Sequence, residues 1–494
     1  MESQNITPSK PQNEEIIENK ELNIWEALIP IIALVGMLFY NVTYAFGDDA
    51  LSGSNQFILL LGAAVAAIVG FFNKVSYKQM MEEIAKNVKS TTGALLILLM
   101  VGSLAGTWLI SGIIPTMIYY GLQILNPTIF LPACVIICAI ISIATGSSWT
   151  TSATVGIALI GIGDTLGISL GMTAGAVISG AYFGDKMSPL SDTTNLAPAM
   201  AGGELFSHIK YMTYTTVPTI VVTLIVFIII GFTLNTSGTP EIGGQLAAIK
   251  SAFNISPWLF LVPVLVIGLI IKKTPPLIAL LAGTLLGGIA AIIAQPEIVM
   301  SIADSKDFTF NAAYIGVMKA MTVDVSIETS SAELNDLFTS GGMNGMLGTI
   351  WLIICAMVFG GVMDAIGALA RISKALLNLF DSVFGLFAST VASCLALNVT
   401  ASDQYLAIVV PGRMYAKAFK DKGLAPENLS RTLEDSGTVT SVLVPWNTCG
   451  AYQSGVLGVP VVDYFFFAIF NWLSPFMTLI FAAFRIKIKQ LSEK

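Results

Sequence analysis

Thr145-Gly-Ser-Ser148 and Ser191-Asp-Thr193 are answered, 255 residues further on, by Thr400-Ala-Ser-Asp403 and Trp446-Asn-Thr448. Each is a small hydroxyl or acidic cluster set inside apolar sequence. The same offset lays Gly106 on Gly361, Gly112 on Gly367, Thr145 on Thr400, Ser147 on Ser402 and Thr193 on Thr448, which marks a duplicated unit. Duplication within an apolar chain points to a carrier, because such folds are commonly built from internal repeats with the binding site at their interface.

Composition sets the medium. With 55% hydrophobic residues, 11% charged residues and a mean hydropathy of +0.79 over 494 residues, the chain reads as an all-α polytopic membrane protein. Its net charge of -7 is small for the length and gives no sign of nucleic acid as a partner. Much of it sits in Glu2, Glu14, Glu15, Glu18, Glu21 and Glu26, in a tail (1–24) that reads as disordered and cytoplasmic. That start has no basic stretch leading into a short apolar core, so no signal peptide is expected. All five cysteines lie in apolar segments and read as small buried hydrophobes, and a single histidine argues against a histidine metal site.

Apolar runs fall near 25–46, 55–72, 91–113, 168–204, 209–233, 257–272, 275–294, 345–367, 428–457 and 464–484. Each is close to the roughly 20 residues that cross a bilayer, or longer and interrupted. Two further segments, 129–163 and 383–411, are broken mid-way by polar clusters and read as re-entrant hairpins, whose unwound tips need cover from protein or water. The expected fold is therefore about ten transmembrane helices plus two hairpins, with discontinuous helices at 168–204 and 428–457.

Lysine and arginine placement orients this layout, since cytoplasmic loops carry their excess. With both termini inside, Lys74, Lys78, Lys86 and Lys89 follow the second span. Lys272 and Lys273 follow the sixth, Arg371 and Lys374 the eighth, Arg413, Lys417, Lys420 and Lys422 the second hairpin, and Arg485, Lys487 and Lys489 the last span; only Lys250, Lys306 and Lys319 fall outside the pattern. Five spans per unit is an odd number, so the units (25–233 and 257–484, joined by an extracytoplasmic linker at 234–256 and followed by a cytoplasmic tail at 485–494) enter the membrane in opposite senses. Trp25 to Pro30 and Trp258 to Pro263 match at an offset of 233, which puts about 22 extra residues into the second unit, most simply in the polar stretch 303–342.

Chemistry concentrates at the interruptions. Around 180–204, Gly180, Gly184, Asp185, Lys186, Ser188, Pro189, Ser191, Asp192, Thr193, Thr194 and Asn195 form a density of breakers and ligands that an ordinary span would not hold. A helix broken there frees backbone groups for an ion or an anionic group. Its counterpart is Val444-Pro-Trp-Asn-Thr-Cys-Gly450, and the hairpin tips add Thr145, Ser147 and Ser148 on one side and Asn398, Thr400, Ser402 and Asp403 on the other. With Asn447 and Thr448 these are oxygen donors, suited to a hard cation such as sodium bound by Asp192 and Asp403. Carboxylates inside a membrane are costly, so Asp185, Asp192, Asp364 and Asp403, together with Lys186, are the candidates for proton coupling. On a helix Asp185 and Lys186 point about 100° apart and need not pair with each other. Asp364 is either a coupling residue or a cytoplasmic-end acid near Arg371. Glu434 and Asp435 are expected at the membrane interface, one turn from Arg431 and paired with it. Asp164 is expected to end the first hairpin and His208 to be an ordinary interfacial histidine.

The stretch Gly180-Ala-Tyr-Phe-Gly-Asp-Lys-Met-Ser-Pro-Leu-Ser-Asp-Thr-Thr-Asn195, with Thr145-Gly-Ser-Ser-Trp149, Asp403-Gln-Tyr405, Pro411-Gly-Arg413, Leu433-Glu-Asp-Ser-Gly437 and Pro445-Trp-Asn-Thr448, resembles the NhaC family of sodium/proton antiporters within the ion transporter superfamily. The resemblance spans nearly the whole chain after residue 25. It implies inverted repeats, a transport domain of hairpins and broken helices, a scaffold that dimerises, elevator-like motion, and a place in the cell inner membrane. It also departs from the pattern: Val442 follows Ser441 where a proline matching Ser188-Pro189 is expected, leaving Pro445 to keep the break.

Two transport readings follow. In one, sodium exchanges for protons as Asp192 and Asp403 alternate between the two cations. In the other, small carboxylates such as malate and lactate are exchanged with sodium and proton coupling, which requires an anion site built from Lys186, Asn195, Asn447 and helix N-termini. Nothing offers a nucleophile with its base, a cofactor motif or a continuous polar pore, so neither an enzyme nor a channel is expected, and no cofactor beyond the transported sodium.

Overall fold

A computed structural model describes residues 22–46, 53–124, 126–234, 242–272, 274–330, 332–377 and 382–491. Most of the proposed N-terminal tail, the start of the 234–256 linker, Lys273 and the last three residues lie outside them. The fold is all-α and polytopic. Among the described residues eight helices are long and apolar enough to cross a membrane, or nine if a bent pair counts as one.

Six of the ten expected spans are unbroken helices of that length. The seventh, at 257–271, bends by 82° away from a preceding helix, Ile242–Ala252, which fills much of the segment read as linker. The last is only Ile469–Ala483. The remaining two are discontinuous, as their breakers require. Leu170–Met187 ends at Ser188, and the chain restarts at Asp192–Ala201 under an N-cap from Ser191. Pro426–Leu433 runs through a π-helical turn (Glu434–Thr438) and a 3-10 turn (Ser441–Leu443) before Thr448–Leu457 restarts under Asn447. Pro445 does sit in this break, and the backbone folds so tightly there that a Cβ on Gly450 would lie 2.0 Å from the Val444 carbonyl oxygen.

Both hairpins form. Pro127–Thr145 ends at Gly146 and returns from Ser148 to Thr165, with Asp164 in its last turn. Val383–Thr400 ends at Ala401 and returns as Gln404–Asp421. The two halves interchange partners. Ile24–Tyr40 packs on Ser54–Phe72 as Leu261–Ile271 packs on Pro276–Ala294, while Ser54–Phe72 packs on Leu347–Ala365 as Pro276–Ala294 packs on Tyr77–Ile110. Leu347–Ala365 and Tyr77–Ile110 also pack on each other. The extra residues of the second half form short helices and a two-residue strand pair, Val325–Ser326 with Thr339–Ser340. They pack on Tyr77–Ile110, where Ser103 donates to the Met321 carbonyl at 2.9 Å.

The structure shifts the register of the echo by one residue at the tips. Helix C-termini match at Thr145 and Thr400, but left-handed residues then fall at Gly146 and Ser402, and N-caps at Ser147 and Asp403. The breaks follow the later register, with N-caps Ser191 and Asn447 and left-handed Gly202 and Gly458. Asp403 is therefore the equivalent of Ser147 rather than Ser148, and Asn447 of Ser191 rather than Asp192. Capping geometry decides the match, because only a residue with an extended backbone and a short acceptor side chain can hold the first free amides of a helix.

Small residues let the site helices touch. Gly180 and Gly184 lie one turn apart on Leu170–Met187 and face Pro127–Thr145 so closely that an added Cβ would stand 2.2 Å from the Val135 carbonyl oxygen and 2.5 Å from that of Ala139. Gly180→Ala should force these helices apart and cost about 1–3 kcal/mol, read as a lower thermal midpoint of the purified chain. Gly36→Ala, which has nothing within 4 Å, should leave the midpoint in place, and equal shifts in both variants would refute the close contact.

Candidate functional site

The four interruptions meet around one cavity of about 420 Å³. Thr145, Ser147 and Trp149 line it from the first hairpin tip, Asp185, Ser191, Asp192 and Thr193 from the first break, Asp403, Gln404 and Tyr405 from the second tip, and Thr448 from the second break. Its opposite wall is Ser90, Thr91 and Gly93 of Tyr77–Ile110, together with Thr274 to Pro276. Three carboxylates face this space, and among the described residues no lysine or arginine does.

The carboxylates are held differently. Asp403 caps its helix, accepting from the Leu406 amide at 3.0 Å, and is buried. Beside it along the chain, the buried hydroxyls of Thr400 and Ser402 have no hydrogen-bond partner. Asp192 is the first residue of its helix and is exposed to the cavity. Asp185 is tied to the hairpin tip: one of its oxygens accepts from the Ser148 amide at 3.1 Å and the Ser148 hydroxyl at 2.6 Å. Among the described residues no group of three or more His, Cys, Asp or Glu side chains could hold a metal ion. A cation here would be held by single carboxylates together with hydroxyl and carbonyl oxygens.

Several expected ligands also make hydrogen bonds within the protein. Asn398 donates to the Gly437 carbonyl at 2.8 Å and to the Thr440 hydroxyl at 3.0 Å, and Asn447 donates back to Asn398. The Thr448 amide donates to the Ser402 carbonyl at 2.9 Å, fastening the second break to the second tip. The Thr194 hydroxyl bonds the carbonyls of Asp185 and Lys186, and the Asn195 amide those of Pro189 and Ser191. The halves are also joined directly. Trp149 stacks on Tyr452 with ring centroids 3.9 Å apart, and the Tyr452 hydroxyl donates to the Trp149 carbonyl.

Lys186 is fully buried and forms an ion pair with Asp435, whose other oxygen accepts from Thr215 at 2.9 Å and from Thr478. This corrects the interfacial placement expected for Glu434 and Asp435, both of which are buried. Nor does Arg431 pair with either. Its guanidinium is buried 4.6 Å from the Tyr211 ring centroid, and among the described residues its nitrogens have no hydrogen-bond partner. The π-helical turn at Glu434–Thr438 explains the error, because it rotates side chains away from the register that simple helical spacing gives. His208 is likewise buried rather than interfacial, with its Nδ1 2.7 Å from the Ser430 hydroxyl. Asp364 lies outside the cavity, where Glu83 and Lys86 are the charged groups around it.

The family model described as the Na+/H+ antiporter family matches residues 180–486, which contain the first break, the second hairpin and the second break. The chain belongs to the Na+/H+ antiporter family. Within it, the chain is 38% identical to the Na+/H+ antiporter NhaC of Alkalihalophilus pseudofirmus, over 86% of this chain and 88% of that one. It is 33% identical to the NhaC of Bacillus subtilis, over 85% and 90%. It is also 35% identical to the malate-2H+/Na+-lactate antiporter of Bacillus subtilis, over 88% of each chain.

This family member's site includes residues that sequence reading passed over. Ser90 and Thr91 give a signal only as a polar step at the head of an apolar run, and Asp435 gives none, since its partner Lys186 is 249 positions away. Removing one member of a buried ion pair leaves an uncompensated charge and costs about 3–5 kcal/mol. Asp435→Asn should therefore lower the thermal midpoint sharply, and adding Lys186→Met should recover most of the loss. A single variant as stable as the parent would show that the pair is not charged.

Proposed function

We propose that the chain is a secondary active transporter that exchanges sodium for protons, with sodium and proton competing for Asp192 and Asp403. The cavity that collects Asp185 and Asp192 from the first break and Asp403 from the second tip is the observation that carries this reading. Asp403, flanked in sequence by unpartnered buried hydroxyls of Thr400 and Ser402, offers the oxygen-rich surroundings a hard cation takes. Protonation of the carboxylates removes that charge, so proton and sodium exclude one another and each turnover trades one for the other.

The wall formed by Ser90, Thr91 and Thr274 to Pro276 stands beside Lys86, Lys89 and Lys272. With lysine-rich loops inside, this arrangement opens the cavity to the cytoplasm, in an inner membrane with both termini cytoplasmic and the two repeats inverted. The hairpins and breaks, cross-linked by Lys186–Asp435, Trp149–Tyr452 and Asn398–Asn447, form one body. They slide past a scaffold containing Tyr77–Ile110 and Pro276–Ala294, through which two chains pair as a homodimer.

The carboxylate-exchange reading is less well supported by the site. Its cationic candidate, Lys186, is buried against Asp435, and the Asn195 and Asn447 amides are bonded to protein. The two readings separate in proteoliposomes loaded with a pH dye. Added sodium should move protons with no organic acid present; a response that appears only with malate or lactate would sink simple exchange. Asp192→Asn and Asp403→Asn should each abolish the sodium response, at least a hundredfold in initial rate, whereas Asp364→Asn should keep it. Exchange with unchanged sodium dependence in Asp192→Asn would remove that residue from the site.

A further inference from the structure

Away from the site, Lys210, Lys487 and Lys489 surround a second cavity of about 390 Å³ together with Ser207, Tyr211 and Tyr214. The three lysines are exposed. One acid answers them: Glu427 pairs with Lys489 at 2.6 Å and accepts from the Ser207 hydroxyl at 2.5 Å. Among the described residues Lys210 and Lys487 form no ion pair, and the Lys487 ammonium stands 5.3 Å from the Tyr214 ring centroid. Behind Tyr211 lies the buried Arg431 guanidinium, without a hydrogen-bond partner among the described residues. Among the described residues three lining lysines and a guanidinium behind them stand against one paired carboxylate, a surplus of positive charge suited to an anion.

Its walls are fixed. The Ala425 amide donates to the Lys489 carbonyl at 3.0 Å and the Leu491 amide to the Gly423 carbonyl at 2.8 Å, so the segment carrying two of the lysines is strapped to the loop that opens the second broken helix. The pocket also lies at the end of an apolar face. Below Tyr214 on Leu205–Thr233, Val217, Val221, Ile225 and Ile228 are exposed at three- and four-residue spacing, and on the adjoining Ile469–Ala483 so are Phe476 and Ile480. Lysines and tyrosines at the head of an exposed apolar helix face form the arrangement that places a headgroup above acyl chains. A free phosphate would use only the pocket.

We propose that this pocket binds the phosphate headgroup of an anionic phospholipid, with the acyl chains lying along the Val217 to Ile228 face. The test is native mass spectrometry of the full chain in detergent, titrated with phosphatidylglycerol, with phosphatidylcholine, or with inorganic phosphate. Phosphatidylglycerol should be retained in preference to phosphatidylcholine, and about tenfold more weakly by Lys210→Gln/Lys487→Gln. Lys420→Gln/Lys422→Gln, which removes the same charge from exposed lysines of the neighbouring loop, should bind like the parent. Monodisperse elution of both double variants shows that each is folded. Equal retention of phosphatidylglycerol by Lys210→Gln/Lys487→Gln and the parent would overturn the proposal, as would an equal loss in both double variants. Inorganic phosphate binding as tightly as phosphatidylglycerol would assign the pocket to a soluble anion instead of a lipid.

Discussion

A lipid interior offers no hydrogen bonds, and this chain unwinds four times at helix interruptions that meet inside the protein. Each unwound segment is completed by another part of the same assembly. Ser148 and Asp185 join the first tip to the first broken helix, and Thr448 and Ser402 join the second break to the second tip. The restarted helices receive caps from Ser147, Ser191, Asp403 and Asn447. The interruptions are thus fastened to one another through their own polar groups. The cavity is the space left where their polar ends do not quite meet.

This requirement also explains which residues remain available for an ion. A side chain that completes a break is committed to it, as Asn398 and Asn447 are. What is left over lies at the edge: Asp192 at the start of a helix, one oxygen of Asp403, and the hydroxyls of Thr400 and Ser402. The abundance of polar residues in the motifs thus reflects mostly the demands of the backbone, with a few side chains left facing the cavity or without a partner among the described residues.

The broad architecture was legible in the chain because it follows from local rules. Apolar length, breaker density and the spacing of the polar clusters located both hairpins, both breaks and most spans. The misplacements have physical causes. The register of the tips depends on a single extra residue at Ala401–Ser402, which spacing alone cannot position. Asp435, Glu434 and His208 were read from local spacing, while their surroundings are set by a π-helical turn and by helices more than two hundred residues away. The share of the cavity wall held by Tyr77–Ile110, Ser90 and Thr91, was hidden because two hydroxyls in a membrane helix look the same whether they pack or line a space.

The extra residue has a further bearing. Gly146 and Ser402 occupy the same left-handed position in the two tips, one without a side chain and the other with a buried hydroxyl. A perfectly duplicated carrier could exchange the conformations of its halves and present the same site to either side of the membrane. Here the two tips differ at that position: Gly146 lines the cavity, while the side chain of Ser402 is buried behind it, so the two halves present unequal surfaces to the same space.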